Sequence, residues 1–382
     1  MKISIILGLG FGDEGKGATV NALCTDPKDT IVVRFNGGHQ CGHTVVNDDG
    51  VHNIRHAFSN FGSGTLKGVP TYWSEYCTVN PFAVKKEGDI LRALGINPII
   101  YYNANCMVTT PYDILWNNDD KNNGKNHGTV GVGYGATMNR NKDMYHLYVR
   151  DLMYPAIRDI KLENIRKYYA GKMSVFSGEY IEKSLENFRI ASDDLVQRYA
   201  VYDNFNSLRA FDCDLVFEGG QGIMLDMDYG FFPHVTYSNT TCKNAVELIT
   251  KWDMIGRNIT TYYITRAYQT RHGNGPMTND SMEISYIKSN PFETNVDTGS
   301  QGIFRKSVLD MDLLDYALSC DAYHRLADTR KTLVITCMDQ VGEKVPVTDF
   351  EGNLVSLTPK EIGQWLGLSE VYTSNSDKGI DI

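Results

Sequence analysis

Short apolar runs rich in β-branched residues recur along the chain, at 3–7, 30–35, 98–102, 215–217, 259–267 and 332–336, with a final strand-to-loop at 371–378. Each is bounded by glycine or polar residues, the pattern of buried strands. Between several of them the apolar residues fall at helical spacing, at 18–23, 162–169, 182–202, 309–327 and 359–366. Strands alternating with helices from end to end predict an α/β fold: one domain over 1–382, with a mostly parallel central sheet flanked by helices. Inserted loops and helical subregions would decorate it, among them the polar stretch 116–126. No internal repeat and no Pro-, Gly- and Ser-rich linker divides the chain.

The first strand runs into Gly8-Leu9-Gly10-Phe11-Gly12-Asp13-Glu14-Gly15-Lys16-Gly17 and then a helical pattern. Strand, glycine loop and helix present backbone N–H groups to a phosphate. Gly10, four residues, Gly15 and Lys16 fit most of the P-loop spacing, but Gly17 stands where that motif has the Ser or Thr that holds magnesium. A bound metal would need another ligand, and Asp13 is the candidate carboxylate. A dinucleotide fingerprint fits poorly, because no third glycine falls in its required place. The bland alternative is a tight turn with an exposed lysine. The second strand leads into Asn36-Gly37-Gly38-His39-Gln40-Cys41-Gly42-His43-Thr44, placing two histidines in an irregular loop beside the first. Loops at the carboxyl ends of neighbouring strands are where open α/β sheets bind ligands. An aspartate and an imidazole next to a triphosphate suit general base and general acid. A further glycine-rich stretch, 128–135, read alone, is as well explained by a flexible surface loop.

The 382 residues are 42% hydrophobic and 22% charged, with a net charge of −9, an ordinary globular composition that disfavours nucleic acid as a partner. No apolar run approaches the ~20 residues that span a bilayer. The first residues carry no export signal, so a cytoplasmic location is expected. Eight scattered cysteines form no Cys-x-x-Cys pair, which indicates buried thiols rather than disulfides or zinc.

Taken together, Gly12 to Gly17, Gly37 to Thr44, Phe217-Glu218-Gly219-Gly220-Gln221-Gly222 and Pro233-His234-Val235-Thr236 with Ser238-Asn239-Thr240-Thr241 resemble the successive signatures of the adenylosuccinate synthetase family. Weaker matches at 128–135, 271–276, 336–339 and 373–378 extend the resemblance over nearly the whole chain. It implies a homodimeric, Mg²⁺-dependent ligase that joins L-aspartate to C6 of a 6-oxopurine nucleoside monophosphate through a 6-phosphoryl intermediate, with small molecules as its partners. Asp13 would be the base and a metal ligand together with the Gly42 carbonyl, and His43 the acid. Gly12, Asp13, Glu14, Gly15, Lys16, Gly17, Gly42, His43, Thr44, Asp339, Ser374 and Asn375 would hold the triphosphate. Asp13, Gln40, Gly128, Thr129, Val130, Gln221 and Thr236 would hold the purine monophosphate, and Thr298, Gly299, Ser300, Gln301 and Arg305 the aspartate.

Several positions depart from the family pattern. Met144 stands where an arginine reaches across the dimer to the 5′-phosphate, with Arg140 and Lys142 nearby. Val130 replaces a second threonine, and Gln40 replaces an asparagine. The arginine run after Thr298-Gly299 keeps only Arg305 and lacks the arginine that faces the ribose. Cys337 replaces the guanine-reading lysine, while Asp339 stays. These changes resemble a viral branch of the family that acts on dGMP, which would place the protein in a host cytoplasm. Retained Asp13 suits guanine, since a carboxylate accepts from N1–H and the 2-amino group together, and it suits IMP equally. The expectation is dGMP as acceptor with ATP or dATP as donor; IMP with GTP is the alternative. A guanine-nucleotide switch and a non-catalytic nucleotide binder are the rivals from other classes.

Overall fold

The computed structural model describes all residues except 49–52, 120, 123–128, 174–177, 206–212, 294, 296–301, 377–378 and 381. Nine strands form one sheet, in the order Glu370–Thr373, Arg330–Thr336, Asn258–Arg266, Lys2–Gly8, Asp214–Glu218, Thr30–Arg34, Thr71–Trp73, Ile100–Asn103 and Ala200–Tyr202. Every neighbouring pair is parallel. The first strand of the chain therefore lies near the middle of the sheet, with the chain winding outward on both sides. Its residues are apolar on both faces because both are covered. Ile3, Ile5 and Leu7 join the larger core with Trp252 and Leu314. Ile6 faces the other way, onto Val20 and Cys24 beside the Lys16–Leu23 helix. A second core, around Trp73 and Tyr102, packs the helices Pro81–Ala93, Pro155–Ala170 and Glu179–Arg198 over the far side.

Some expectations shift at their ends. The helical pattern through 182–202 stops at Arg198, and Ala200–Tyr202 instead forms the edge strand. That stretch pairs with Ile100–Asn103, so a long-range partner outweighs local periodicity. The pattern starting at 309 becomes a short strand, Leu309–Asp310, before the helix Met311–Ala322, which Asp310 caps by accepting from the Asp312 N–H at 3.0 Å. The helix Tyr134–Lys142 follows the second glycine stretch. All eight cysteines are free and seven are buried. Among the described residues, no helix is long and apolar enough to cross a membrane.

Two antiparallel hairpins rise from the carboxyl edge of the sheet: His43–Asp48 with Asn53–Phe58, and Gln269–His272 with Phe304–Ser307. Between them, above the ends of six parallel strands, lies a cavity of about 820 Å³.

Candidate active site

The loop after Lys2–Gly8 is fixed from within. Glu14 is buried, and its Oε1 accepts from the backbone N–H of Gly10 at 3.1 Å and Gly12 at 2.8 Å. Its Oε2 accepts from Lys16 Nζ at 2.5 Å. The loop amides expected to face a phosphate thus hold a carboxylate in this state, and Lys16 is neutralised by it. Thr336 donates its hydroxyl to the Glu14 carbonyl at 2.7 Å, and Arg266 Nε donates to the Asp13 carbonyl at 2.5 Å. Gly12 and Gly15 take left-handed conformations, as glycine readily does. So does Asp13, with φ 64°, which turns its carboxyl toward the cavity. Gln221 and Cys337, which follow the strands Asp214–Glu218 and Arg330–Thr336 of the same sheet, share this rare backbone state with φ 63° and 61°, the kind of cost that clusters at functional sites.

Burial pushes the Asp13 carboxyl above the usual range, against the opposing charges of Arg266 and His272. His272 Nε2 lies 3.4 Å from Asp13 Oδ2, and its ring packs at a tilt on Phe304, 4.9 Å between centroids.

His43 opens the first hairpin, and its Nδ1 lies 2.6 Å from Glu218 Oε1, at the last position of the strand Asp214–Glu218. Glu218 also accepts from the Ser63 backbone N–H at 3.1 Å and from the Ser63 hydroxyl. Burial alone would raise the Glu218 pKa. His43, Arg34 on the adjacent strand and Ser63 overcome it and hold the carboxyl down at about 2. Burial pulls the His43 imidazole down. The pair therefore carries its proton on Nδ1, leaving the Nε2 lone pair free. Gly17 now has a reason for lacking a side chain, since a Cβ there would lie 2.9 Å from that of His43. The other histidine of the loop parts company: His39 Nδ1 turns to Asn60 Nδ2 at 3.1 Å and is not in the cavity wall.

The wall brings together Gly12 to Gly17, Gln40, Gly42, His43, Thr44, Thr129, Val130, Gln221, Thr236, Asp339, Ser374 and Asn375. Gly128, Thr298, Gly299, Ser300 and Gln301 lie outside the described residues. Arg305 does not reach the wall; it pairs with Asp280 at 2.5 Å and donates to the Gly275 carbonyl. Arg140 is fully buried against Asp113, with Nε to Oδ1 at 2.8 Å, and cannot stand in for the arginine missing at the exposed Met144. Sequence reasoning missed the roles of Glu218, Arg266, Arg271 and His272. An acidic residue ending a buried strand was a legible signal for Glu218. The others depend on contacts across the whole chain.

The sequence matches the family profile described as adenylosuccinate synthetase over residues 5–374. It is 30% identical to the adenylosuccinate synthetase of Clostridium botulinum (strain Eklund 17B / Type B) over 400 residues, covering 97% of this chain and 87% of that one. The chain belongs to the adenylosuccinate synthetase family. It is a carbon–nitrogen ligase of the adenylosuccinate synthetase type. The fold agrees with two solved structures. The fully ligated adenylosuccinate synthetase of Plasmodium falciparum superposes with a TM-score of 0.77 at 18% identity, over 99% of this chain and 98% of that one. The cyanophage S-2L succinoaminodeoxyadenylate synthetase, bound to dGMP and dATP, gives 0.61 at 14% identity, over 99% and 93%.

Proposed function

We propose that this adenylosuccinate synthetase relative joins L-aspartate to C6 of dGMP, forming N6-succinyl-2-amino-2′-deoxyadenylate with ATP or dATP as phosphate donor. The observation that carries the chemistry is that Asp13 and the His43–Glu218 pair open onto one cavity from neighbouring strand ends. Asp13, its pKa raised by burial, is suited to take the N1 proton, which shifts electron density to O6. O6 then attacks the γ-phosphorus and the bond to the β-phosphate oxygen breaks. The aspartate amine adds at C6, phosphate leaves with O6, and the amine gives up a proton. As the triphosphate arrives, its negative charge favours a second proton on His43, at Nε2, from which the β-phosphate oxygen can be stabilised. Glu218 keeps that ring aimed.

The described residues contain no cluster of three His, Cys, Asp or Glu side chains. The Asp13 carboxyl and the exposed Gly42 backbone nonetheless suit a hard cation that takes its remaining ligands from phosphate and water. Mg²⁺ bound there would neutralise charge on the phosphate oxygens; Asp13 and the Gly42 carbonyl would hold it.

The preference for dGMP is supported by Asp13, which can accept from N1–H and the 2-amino group together. It is also supported by the absence of an arginine facing the ribose hydroxyls: Arg305, the survivor of that run, is engaged by Asp280. The 30% identity to the clostridial enzyme favours the second reading, IMP to adenylosuccinate with GTP. Equal dGMP and IMP, incubated with Mg²⁺, L-aspartate and each of dATP, ATP and GTP, distinguish the two by product mass. Succinylated 2-aminodeoxyadenylate is expected to dominate with an adenine nucleotide as donor. Dominant adenylosuccinate would reject the dGMP preference and leave the ligase standing.

We also read the protein as a homodimer, on the exposed apolar side chains of Met153 and Tyr154, just before the helix Pro155–Ala170, and of Ile157 and Ile160 in its first turns. A monomer by light scattering would reject that.

A further inference from the structure

Four lysine and arginine side chains line the cavity: Arg55 donates to the Phe292 carbonyl at 2.7 Å, and Lys16 and Arg266 are each neutralised by a carboxylate, Glu14 and Glu293. Arg271 is not. It is only 3% exposed, and its guanidinium lies over the Phe11 ring at 4.2 Å from the centroid. Nη1 donates to the Pro276 carbonyl at 2.6 Å and Nη2 to the His234 carbonyl at 3.2 Å. Among the described residues, no carboxylate comes within the 4.0 Å of an ion pair. Two of its N–H groups are accounted for, out of the roughly five that a guanidinium carries. Its cross-strand neighbour is another cation, Arg305, which already has Asp280. Burial and the Arg305 charge bring the Arg271 pKa down to about 10, low for an arginine yet far enough above neutrality to keep it charged.

A buried cation without a counter-charge is costly to a fold, and the chain has made room for this one. A Cβ at Gly275 would stand 1.9 Å from Arg271 Nη2, so the guanidinium occupies the place of a missing side chain. Its contact with the His234 carbonyl sets it two residues from Thr236. Successive residues of a strand face opposite ways: His272 meets Asp13, while Arg271 meets Phe11 and His234. In a nucleoside monophosphate the phosphate is separated from the base by the sugar. The aspartate amine, in contrast, must come to C6, near Asp13.

We propose that Arg271 is a binding residue for the 5′-phosphate of the acceptor nucleotide, acting with Thr236. This rests on the ligase reading above only in taking a nucleoside monophosphate as the acceptor. Arg271→Gln is expected to raise KM for the monophosphate between about ten- and a hundredfold, the loss of charge-assisted hydrogen bonds. KM for L-aspartate should stay within about threefold, and Arg271→Lys, which keeps the charge, should recover part of the loss. An increase confined to KM for L-aspartate would assign the guanidinium to an amino-acid carboxylate and overturn the proposal, as would no change in either. Should the glutamine variant fail to fold, crystals of the wild-type protein soaked with dGMP or IMP decide the matter. A phosphate oxygen within hydrogen-bonding distance of the guanidinium supports the assignment, and a phosphate bound elsewhere sinks it. Wild-type protein that ligates aspartate to no purine monophosphate would defeat the function proposed above, while the position of the soaked phosphate would still decide this one.

Discussion

At the end of the cavity proposed for the triphosphate the carboxylates have many donors: Glu14 takes two loop amides and Lys16, and Glu218 takes His43 and both donors of Ser63. At the end proposed for the acceptor nucleotide the buried polar atoms stand open. On this part of the cavity wall, both amide atoms of the Gln40 side chain, Oε1 of Gln221 and Nδ1 of His272 have no partner among the described residues, and Arg271 has no counter-charge among them. The first end is a framework set by parallel strands that converge on it. The second holds hydrogen-bonding capacity in reserve, the condition in which a substrate able to satisfy it is distinguished from one that cannot. Changes at the first end should therefore be felt in stability and chemistry, and changes at the second mainly in what binds.

The sharpest probe is Asp13→Asn, which keeps shape and removes the base. Turnover should fall by about 10³-fold or more while nucleotide binding survives in calorimetry; unaltered turnover would remove Asp13 from that role. Glu14→Ala leaves Lys16 buried with no counter-charge and should cost about 3–5 kcal/mol in urea unfolding. A loss below about 1 kcal/mol would mean the loop is not held by this pair. The Glu218 pair predicts an acid limb. Its folded pKa of about 2 lies below the ordinary 4.5, so its stabilisation is fully present above pH 4.5 and is lost as pH falls toward 2. Protonation of unfolded His43 below about pH 6.5 acts in the same direction. The stability gap between wild type and Glu218→Gln, roughly 2–3 kcal/mol at neutral pH, should close over that range; a gap that widens in acid would contradict the pairing.

Gly222→Ala sets a Cβ 2.2 Å from the Gly10 carbonyl oxygen and 2.6 Å from Glu14 Oε1, forcing two loops apart. About 1–3 kcal/mol of stability should go, with a raised KM for the triphosphate. The smallest effect is expected at the open end. His272→Phe keeps a ring on Phe304 and removes an unpartnered nitrogen, so stability should move by less than about 1 kcal/mol while turnover slows several-fold. A large loss of stability there would erase the contrast between the two ends.

The same contrast explains what could be read from sequence. The first glycine loop declares itself because its glycines, Asp13, Glu14 and Lys16 are contiguous and follow a buried strand. The central strands were legible because each is a β-branched run buried on both faces. The hairpin residues Arg271 and His272 carry no local sign of their task, because Asp13 and Phe11 are brought to them from the opposite end of the chain. Arg305 looked free to grip a carboxylate until the fold set Asp280 beside it. Glu14 reads as one more loop acid, and only the folded chain shows it occupying the amides proposed for phosphate. Arg140, close in sequence to Met144, is withdrawn by a buried aspartate that no local pattern announces.

Asp13, Gln221 and Cys337 each sit at the cavity in a left-handed backbone state that glycine would adopt without penalty. Selection for heat tolerance would be drawn to those three positions, where a glycine relieves a tension of about 1–2 kcal/mol apiece. Selection for turnover would resist it, at least at Asp13 and Gln221, the two whose side chains are proposed to serve the reaction. Variants that survive boiling and variants that work fastest should thus diverge first at the rim of this pocket, leaving the interior of the sheet alone.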